Sequence, residues 1–384
     1  MTIGLYCNWK IKIVENGIYI NKVHAKYLKA FKEEYGRVHL LSNVCNAEIS
    51  SEYIHLQDER ITVTPLPYFK GYIGALKHFK KIFVNLRKLA RECDKIYVRT
   101  PEPFSWLLIF FSKGKLVNYH FTSNPLQVIK NNNDLNSLTK FAKYLLFYPE
   151  FILTCIAAYL KKCSCNGPSV LEYVPFFIKH RLKILIETTV TSEEFESKPY
   201  RPRKLPEVIN FICVTRLQNS KGLHELIDAL HSYKLKKPNN HFQLSIVGDG
   251  PLKDSLTNHI YEIGCQQYVT MCGPIENGTP LNNCYKDHDV LINASSSETG
   301  PRVILEAMAE SLLCISTDVG YVRYLFEGKP ELTNFIIGNN FEEELHDTLE
   351  KLFSNREDYP YLTKAGYAIS KKYKLNDFVS NVFD

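Results

Sequence analysis

Two glutamates with seven residues between them, Glu298 and Glu306, frame the stretch Ser295-Ser-Ser-Glu-Thr-Gly-Pro-Arg-Val-Ile-Leu-Glu-Ala-Met-Ala309. Ionised carboxylates accept hydroxyl protons, so a pair at this spacing can hold a polyol. Between them, Gly300 permits a tight turn. Pro301 suits a first helical position, where its missing N–H would be unpaired anyway. A helix that opens here points free N–H groups and its positive end at an anion. Glu298 falls in the loop before that mouth, and Glu306 lies ~7.5 Å along the axis at ~1.5 Å per residue. An anion site flanked by two hydroxyl acceptors suits a phosphorylated sugar or a nucleotide. The same residues also fit an ordinary strand–loop–helix with two exposed glutamates.

A second group precedes it. The apolar run 209–214 reads as a strand, followed by Thr215-Arg-Leu-Gln-Asn-Ser-Lys-Gly-Leu223 and a helix over 223–233. Arg216 and Lys221 would stand at the strand's end. A guanidinium fork and an ammonium point charge together offset the charge that grows on a departing nucleotide diphosphate. The strand 241–247 runs into Gly248-Asp-Gly-Pro-Leu252, which lacks the third glycine of a dinucleotide fingerprint. Strand 269–273 runs into Pro274 and Ile275. Asp287-His-Asp289 has the form of a metal motif, yet it directly precedes the apolar strand 290–292 and reads as a strand start. In the first half, the strand 116–119 ends in the loop 120–125, where open α/β sheets place ligands, which makes His120 a candidate.

Glu-x7-Glu followed by Ala-Met-Ala resembles the motif of family-4 retaining glycosyltransferases. Arg216, Lys221 and Gly248 come before it in the family's order. The resemblance covers most of residues 205–330 and more loosely residues 1–200. It implies an α/β chain of GT-B fold, two Rossmann-like domains facing a central cleft, that moves a sugar from a nucleotide donor with retention of configuration. By that likeness, Arg216 and Lys221 clamp the diphosphate together with the helix end at Gly300, Arg302 and Val303. Glu306 holds the ribose, Glu298 the donor sugar, and His120 the donor–acceptor junction. Gly273 to Ile275 would lie against the base, and Gly17 near the phosphates. The donor would be UDP- or GDP-linked, and neither a cofactor nor a metal is required. The sequence departs from the family where Thr215 and Ser311 replace glycines, and where Tyr321 and Tyr324 stand for the residue after Gly320 and a later glutamate. It also departs where Thr188, Thr189 and Thr191 stand for Asn-Gly and Asp, and where a lone Gly17 stands for two glycines.

These residues need elements to hold them. The 384 residues, 45% hydrophobic and 23% charged, match two soluble domains. We expect an acceptor-side domain over 1–203, a nucleotide-sugar domain over 204–365 and a helix over 366–384 that crosses back to the first. Residues 198–206 read as the linker. A strand over 2–9, a loop over 13–19, a helix over 20–35 and a strand over 38–42 open the chain as a βαβ unit. Eleven scattered cysteines show neither zinc spacing nor a disulfide framework, so a reducing cytosol is expected.

Charge is divided unevenly. Residues 1–204 carry 31 Lys+Arg against 17 Asp+Glu, net +14, while the remainder carries −8. A helix over 76–91 sets Leu, Phe and Ile beside Lys77, Lys80, Lys81, Arg87, Lys88 and Arg91, and residues 138–162 mix aromatics with lysines. The tract 144–160 contains Pro149 and Glu150, so the reading is not an integral membrane protein. It is a cytoplasmic one held peripherally at an anionic inner face, where basic residues favour binding. The partners expected are a nucleotide sugar and a glycan or lipid-pyrophosphate-linked acceptor, within cell-surface polysaccharide synthesis. No nucleic acid is expected, for no recognised module accompanies the basic excess. A catalytically silent sugar-binding subunit and a nicotinamide oxidoreductase are the alternatives. The second needs a glycine fingerprint that neither half has.

Overall fold

A computed structural model describes residues 1–45, 52–123, 125–130 and 136–384. Asn124, in the loop that follows His120, lies outside the described residues. The chain forms two compact units, Met1–Glu187 with Leu375–Asp384, and Thr188–Lys374.

In the first unit the strands are β1 (Thr2–Tyr6), β2 (Lys12–Val14), β3 (Gly17–Asn21), β4 (Arg37–Asn43) and β5 (Tyr53–Leu56). They continue with β6 (Ile61–Leu66), β7 (Lys95–Thr100), β8 (Leu116–Phe121), β9 (Lys162–Cys165) and β10 (Lys183–Ile184). Seven of them pair in parallel in the order β10-β9-β8-β7-β1-β4-β6. The central strands are almost wholly buried, as β1 and β4 show, because helices cover both faces of such a sheet. Helix Lys22–Tyr35 starts where the Asn21 side chain accepts from the Val23 amide, at 3.0 Å.

Three expectations change here. Residues 13–19 are not a loop: β2 and β3 form a hairpin that adds β5 in a small antiparallel sheet. The helix over 76–91 is two, Gly71–Leu76 and Phe79–Glu92. The last helix is also broken. Helix Tyr359–Ser370 ends, the lysine-rich turn 371–374 follows, and Leu375–Ser380 resumes with a 3-10 turn Asn381–Phe383. Leu375, Phe378, Val379, Val382 and Phe383 are buried in the first unit's core, together with Leu5, Phe31 and Tyr97. Lys162 already belongs to β9, and residues 138–160 lie in the helix Ser137–Leu160. Among the described residues it is the one helix long and apolar enough to cross a membrane by length and composition, and a third of its most apolar window is buried.

The second unit holds β11 (Ile209–Val214), β12 (Phe242–Val247), β13 (Val269–Gly273), β14 (Val290–Asn293), β15 (Leu313–Thr317) and β16 (Ile336–Ile337). Their order, β13-β12-β11-β14-β15-β16, is the doubly wound 3-2-1-4-5-6, all parallel. The proline-rich segment read as a linker is tied down in this unit. Arg203 donates to the Lys286 and His288 carbonyls at 2.8 and 3.0 Å, and Lys198 pairs with buried Glu310 at 2.7 Å. Prolines extended this segment, but its cations found carbonyl and carboxylate partners.

Candidate active site

In a doubly wound sheet the order reverses between the first and fourth strands, and the loops that leave their carboxyl ends part to make a crevice. In the second unit those strands are β11 and β14. Arg216 and Lys221 leave β11, and Glu298 leaves β14, so topology alone brings the two sequence groups together.

Close backbone approach makes this possible. Gly222 has φ +62° and caps helix Leu223–Lys236, and a Cβ there would overlap the Ala294 carbonyl. The Ser296 amide donates to the Ser220 carbonyl at 2.9 Å, which locks the two loops. Lys221 Nζ then forms an ion pair with Glu298 Oε1, which also accepts from Ser295 Oγ at 3.3 Å. Gly248 (φ +149°) serves the neighbouring edge, because any side chain would strike the Thr215 carbonyl. Its amide donates to the Gly273 carbonyl at 2.9 Å. Gly273 ends β13 with open space where a Cβ would stand, and Ile275 beyond it is half-buried. Arg216 is exposed.

Helix Arg302–Ala309 begins one residue later than the sequence implied, with Pro301 as its cap and no side-chain capping bond from it. Gly320 approaches the Thr299 carbonyl so closely that a Cβ would stand 2.5 Å from it. Arg302 and Val303 are half-buried at the mouth. Glu306, on the second turn, is held from two sides. Thr189 Oγ1 donates to Oε1, and the hydroxyl of fully buried Tyr285 donates to Oε2 at 3.2 Å. Neither partner was foreseen, since they are 117 and 21 residues away. Ser311, read as a departure from glycine, does adopt φ +69°, and its hydroxyl accepts from the Arg201 amide at 3.2 Å.

Asp289 lies at the opposite, amino end of β14. It accepts from the Asn210 amide at 2.9 Å and from its side chain at 3.3 Å. Asp289 is therefore a brace between β11 and β14 rather than part of the loop cluster.

The other two candidates belong to the first unit. Gly17 opens β3, where a Cβ would overlap the Leu56 carbonyl of β5, so hairpin packing accounts for the glycine. His120 is not in a loop but inside β8, with no exposure. Its ring stacks on Tyr97 at 5.9 Å and meets Phe378 edge-on at 5.2 Å. Nδ1 lies 2.9 Å from Ser164 Oγ, and Nε2 lies 3.6 Å from Glu187 Oε1. Burial is the main cause that lowers its pKa to about 4; Glu187 opposes this and Arg99 adds to it. Glu187 in turn takes both arms of Arg99, at 3.0 and 2.9 Å. The sequence reading missed this cluster, whose sole trace is a glutamate directly after the apolar run 184–186.

The second unit's sheet order defines a doubly wound, Rossmann-like α/β domain. Comparison is more particular: residues 195–369 match the family Glycosyl transferases group 1. The alpha-monoglucosyldiacylglycerol synthase of Acholeplasma laidlawii is 28% identical over 193 residues, 50% of this chain and 46% of its own length. The chain spans less than half the length of the curated relatives it matches first. Among solved structures, a glycosyltransferase of Rickettsia africae ESF-5 aligns over 98% of this chain and 95% of its own, with TM-score 0.67 and 18% identity. Anabaena HepE, solved with UDP-glucose, aligns over 100% and 98%, with TM-score 0.66 and 16% identity. The fold is GT-B, built of two Rossmann-like domains.

Proposed function

We propose that the chain is a retaining glycosyltransferase, moving a sugar from a UDP- or GDP-linked donor to a glycan or lipid-linked glycan acceptor in cell-surface polysaccharide synthesis. The observation that carries the reading is the meeting of Lys221 and Glu298 across the β11 and β14 loops, before a helix whose second turn holds Glu306. Arg216, Lys221 and the amides at Arg302 and Val303 oppose the charge on the leaving diphosphate. Because Lys221 already neutralises Glu298, a donor that enters exchanges one anion for another, and Glu298 is released towards sugar hydroxyls. Glu306, fixed by Thr189 and Tyr285, faces the ribose. Gly248 and the backbone of Gly273–Ile275 lie against the base.

Retention follows a same-face route in which the departing phosphate takes the acceptor's proton. Two cations and a helix terminus supply the positive charge, so transfer requires no divalent ion. Buried His120 acts here by positioning Glu187 and Arg99 rather than by touching the sugar. The name of the Acholeplasma relative, a glucosyldiacylglycerol synthase, supports a lipid-borne acceptor. The +14 charge of residues 1–204 supports peripheral attachment at the inner face of an anionic membrane. A screen of UDP- and GDP-sugars for hydrolysis and transfer tests the reading. Turnover of one donor that survives excess EDTA upholds it. Turnover restored only by Mg²⁺ or Mn²⁺ refutes the metal-free site, and no turnover of any donor refutes the activity.

A further inference from the structure

The helix Ser137–Leu160 turns apolar side chains to both of its sides. Its inner face, with Phe151, Cys155, Ala157 and Ala158, belongs to the first unit's core. On its outer face Leu138, Phe141, Leu145, Leu153, Ile156 and Leu160 recur three, four or eight residues apart, and all are exposed. Leu138, Phe141 and Leu145 are 83%, 67% and 62% exposed. The stripe runs the length of the helix, ~36 Å at ~1.5 Å per residue. Such a continuous apolar surface marks an interaction site in a protein that would otherwise bury it.

Charge identifies the occupant. The one acid on this helix, Glu150, is buried, its two oxygens accepting from the Phe104 amide at 2.5 Å and from Trp106 Nε1 at 2.8 Å. Lys140 and Lys143 lie near one end. At the other end Arg181 sits over the Tyr159 ring at 5.0 Å, and the short helix Phe176–Lys179 adds Phe176, 85% exposed. Tyr144 and Tyr148 are exposed and stack at 5.5 Å. An apolar stripe with tyrosines along it and cations at both ends, on a helix without an exposed acid, matches the layers of an anionic bilayer's interface. A second copy of the chain would bring like charges together.

We propose that this helix is the element by which the protein docks on an anionic bilayer, lying in the plane of the interface with its outer stripe among the acyl chains. The inference rests on the peripheral membrane placement proposed above and assigns it to apolar insertion rather than to the basic helix Phe79–Glu92 alone. The helix does not span: its inner face and Glu150 are committed to the core, and withdrawing them would expose that core and unpair a carboxylate.

The test uses the full chain with Phe141→Trp and vesicles of phosphatidylglycerol and phosphatidylcholine, with brominated lipid as quencher. The expected result is a blue shift of the added emission and quenching on anionic vesicles. Leu138→Ser/Phe141→Ser/Leu145→Ser, folded by circular dichroism and still hydrolysing donor, should partition at least about tenfold more weakly, even in high salt. Vesicle binding of the Phe141→Trp protein with no quenching of the introduced indole overturns the assignment and leaves attachment to the basic helix. So does a lipid-free dimer that the triple variant dissociates, for then a second copy covers the stripe. Absence of vesicle binding in the wild type overturns the membrane placement itself, and donor hydrolysis reads the transferase assignment separately.

Discussion

The two units carry the same reversal of strand order, between β1 and β7 in one and between β11 and β14 in the other, yet they treat it in opposite ways. In the second unit the loops beyond the reversal are kept thin by Gly222, Gly248 and Gly320, and they carry an exposed Arg216 and a partly exposed Lys221–Glu298 pair. In the first, one face of β7 and β8 near their carboxyl ends bears Arg99 and His120, and buried Glu187 ties them together. Glu187 is only 4% exposed, so removing its partner Arg99 would strand a buried carboxylate, whereas Lys221 and Glu298, at 12% and 23%, both keep some contact with solvent. The second unit's charges are thus available for exchange with a ligand, while the first unit's hold its own elements in place.

The comparison breaks most readily at the diphosphate. Replacing Arg216, Lys221 or Glu306 by Ala should lower transfer by ~10²–10³-fold, because the proposed function aims each at the donor. Steady-state kinetics of the purified variants measure it, and full activity in a folded Lys221→Ala would sink the donor site.

A stability measurement sharpens it next. Arg99→Met should destabilise the fold by ~3–5 kcal/mol, since it leaves the buried Glu187 carboxylate unpaired, and Glu187→Gln by less, since Arg99 is itself 33% exposed. Glu298→Gln should cost less than Arg99→Met, because Lys221 and Glu298 both keep some solvent contact where Glu187 does not. Urea unfolding of the three gives the contrast, and equal losses would erase the distinction between the two regions.

Between these in kind is Gly222→Ala. Its φ of +62° and the Ala294 carbonyl both oppose a Cβ. The left-handed conformation alone costs ~1–2 kcal/mol. Thermal unfolding should show the loss, and donor affinity should fall with it as the β11 and β14 loops separate.

The smallest effect is one of pH. His120 titrates near 4 when folded, against ~6.5 when unfolded, so the unfolded chain binds the extra proton between those values. Its neutral, buried form therefore contributes stability above pH 6.5 that is lost as pH falls towards 4. Unfolding of His120→Gln followed across pH should show a shallower acid limb. Parallel curves would mean that His120 is not buried neutral.

What the sequence disclosed follows the same division. The β11 loop, the β14 loop and the helix after it were legible because each is local: an apolar run, a glycine that the turn requires, and a charge at a fixed offset. The GT-B fold followed from those motifs taken in order. Contacts between distant segments left no such trace. Thr189 and Tyr285 meet Glu306 only once the helices pack, and Arg99 finds Glu187 88 residues on. His120 was read as a loop residue because the strand was ended at Tyr119. Pairing with Arg99 of β7 and Ser164 of β9 carries β8 past it into the core. The hairpin of β2 and β3 escaped notice because Glu15, Asn16 and Gly17 interrupt its alternation of side chains.

The most direct test of the central claim is calorimetric titration of UDP and GDP into the wild type, Lys221→Ala and Glu306→Ala in the presence of EDTA. The account predicts that one nucleotide binds the wild type without metal, and that each substitution weakens it at least about tenfold, with Lys221→Ala also shedding much of the salt dependence. Equal affinity in all three proteins, or binding that appears only when a divalent cation is added, would contradict it.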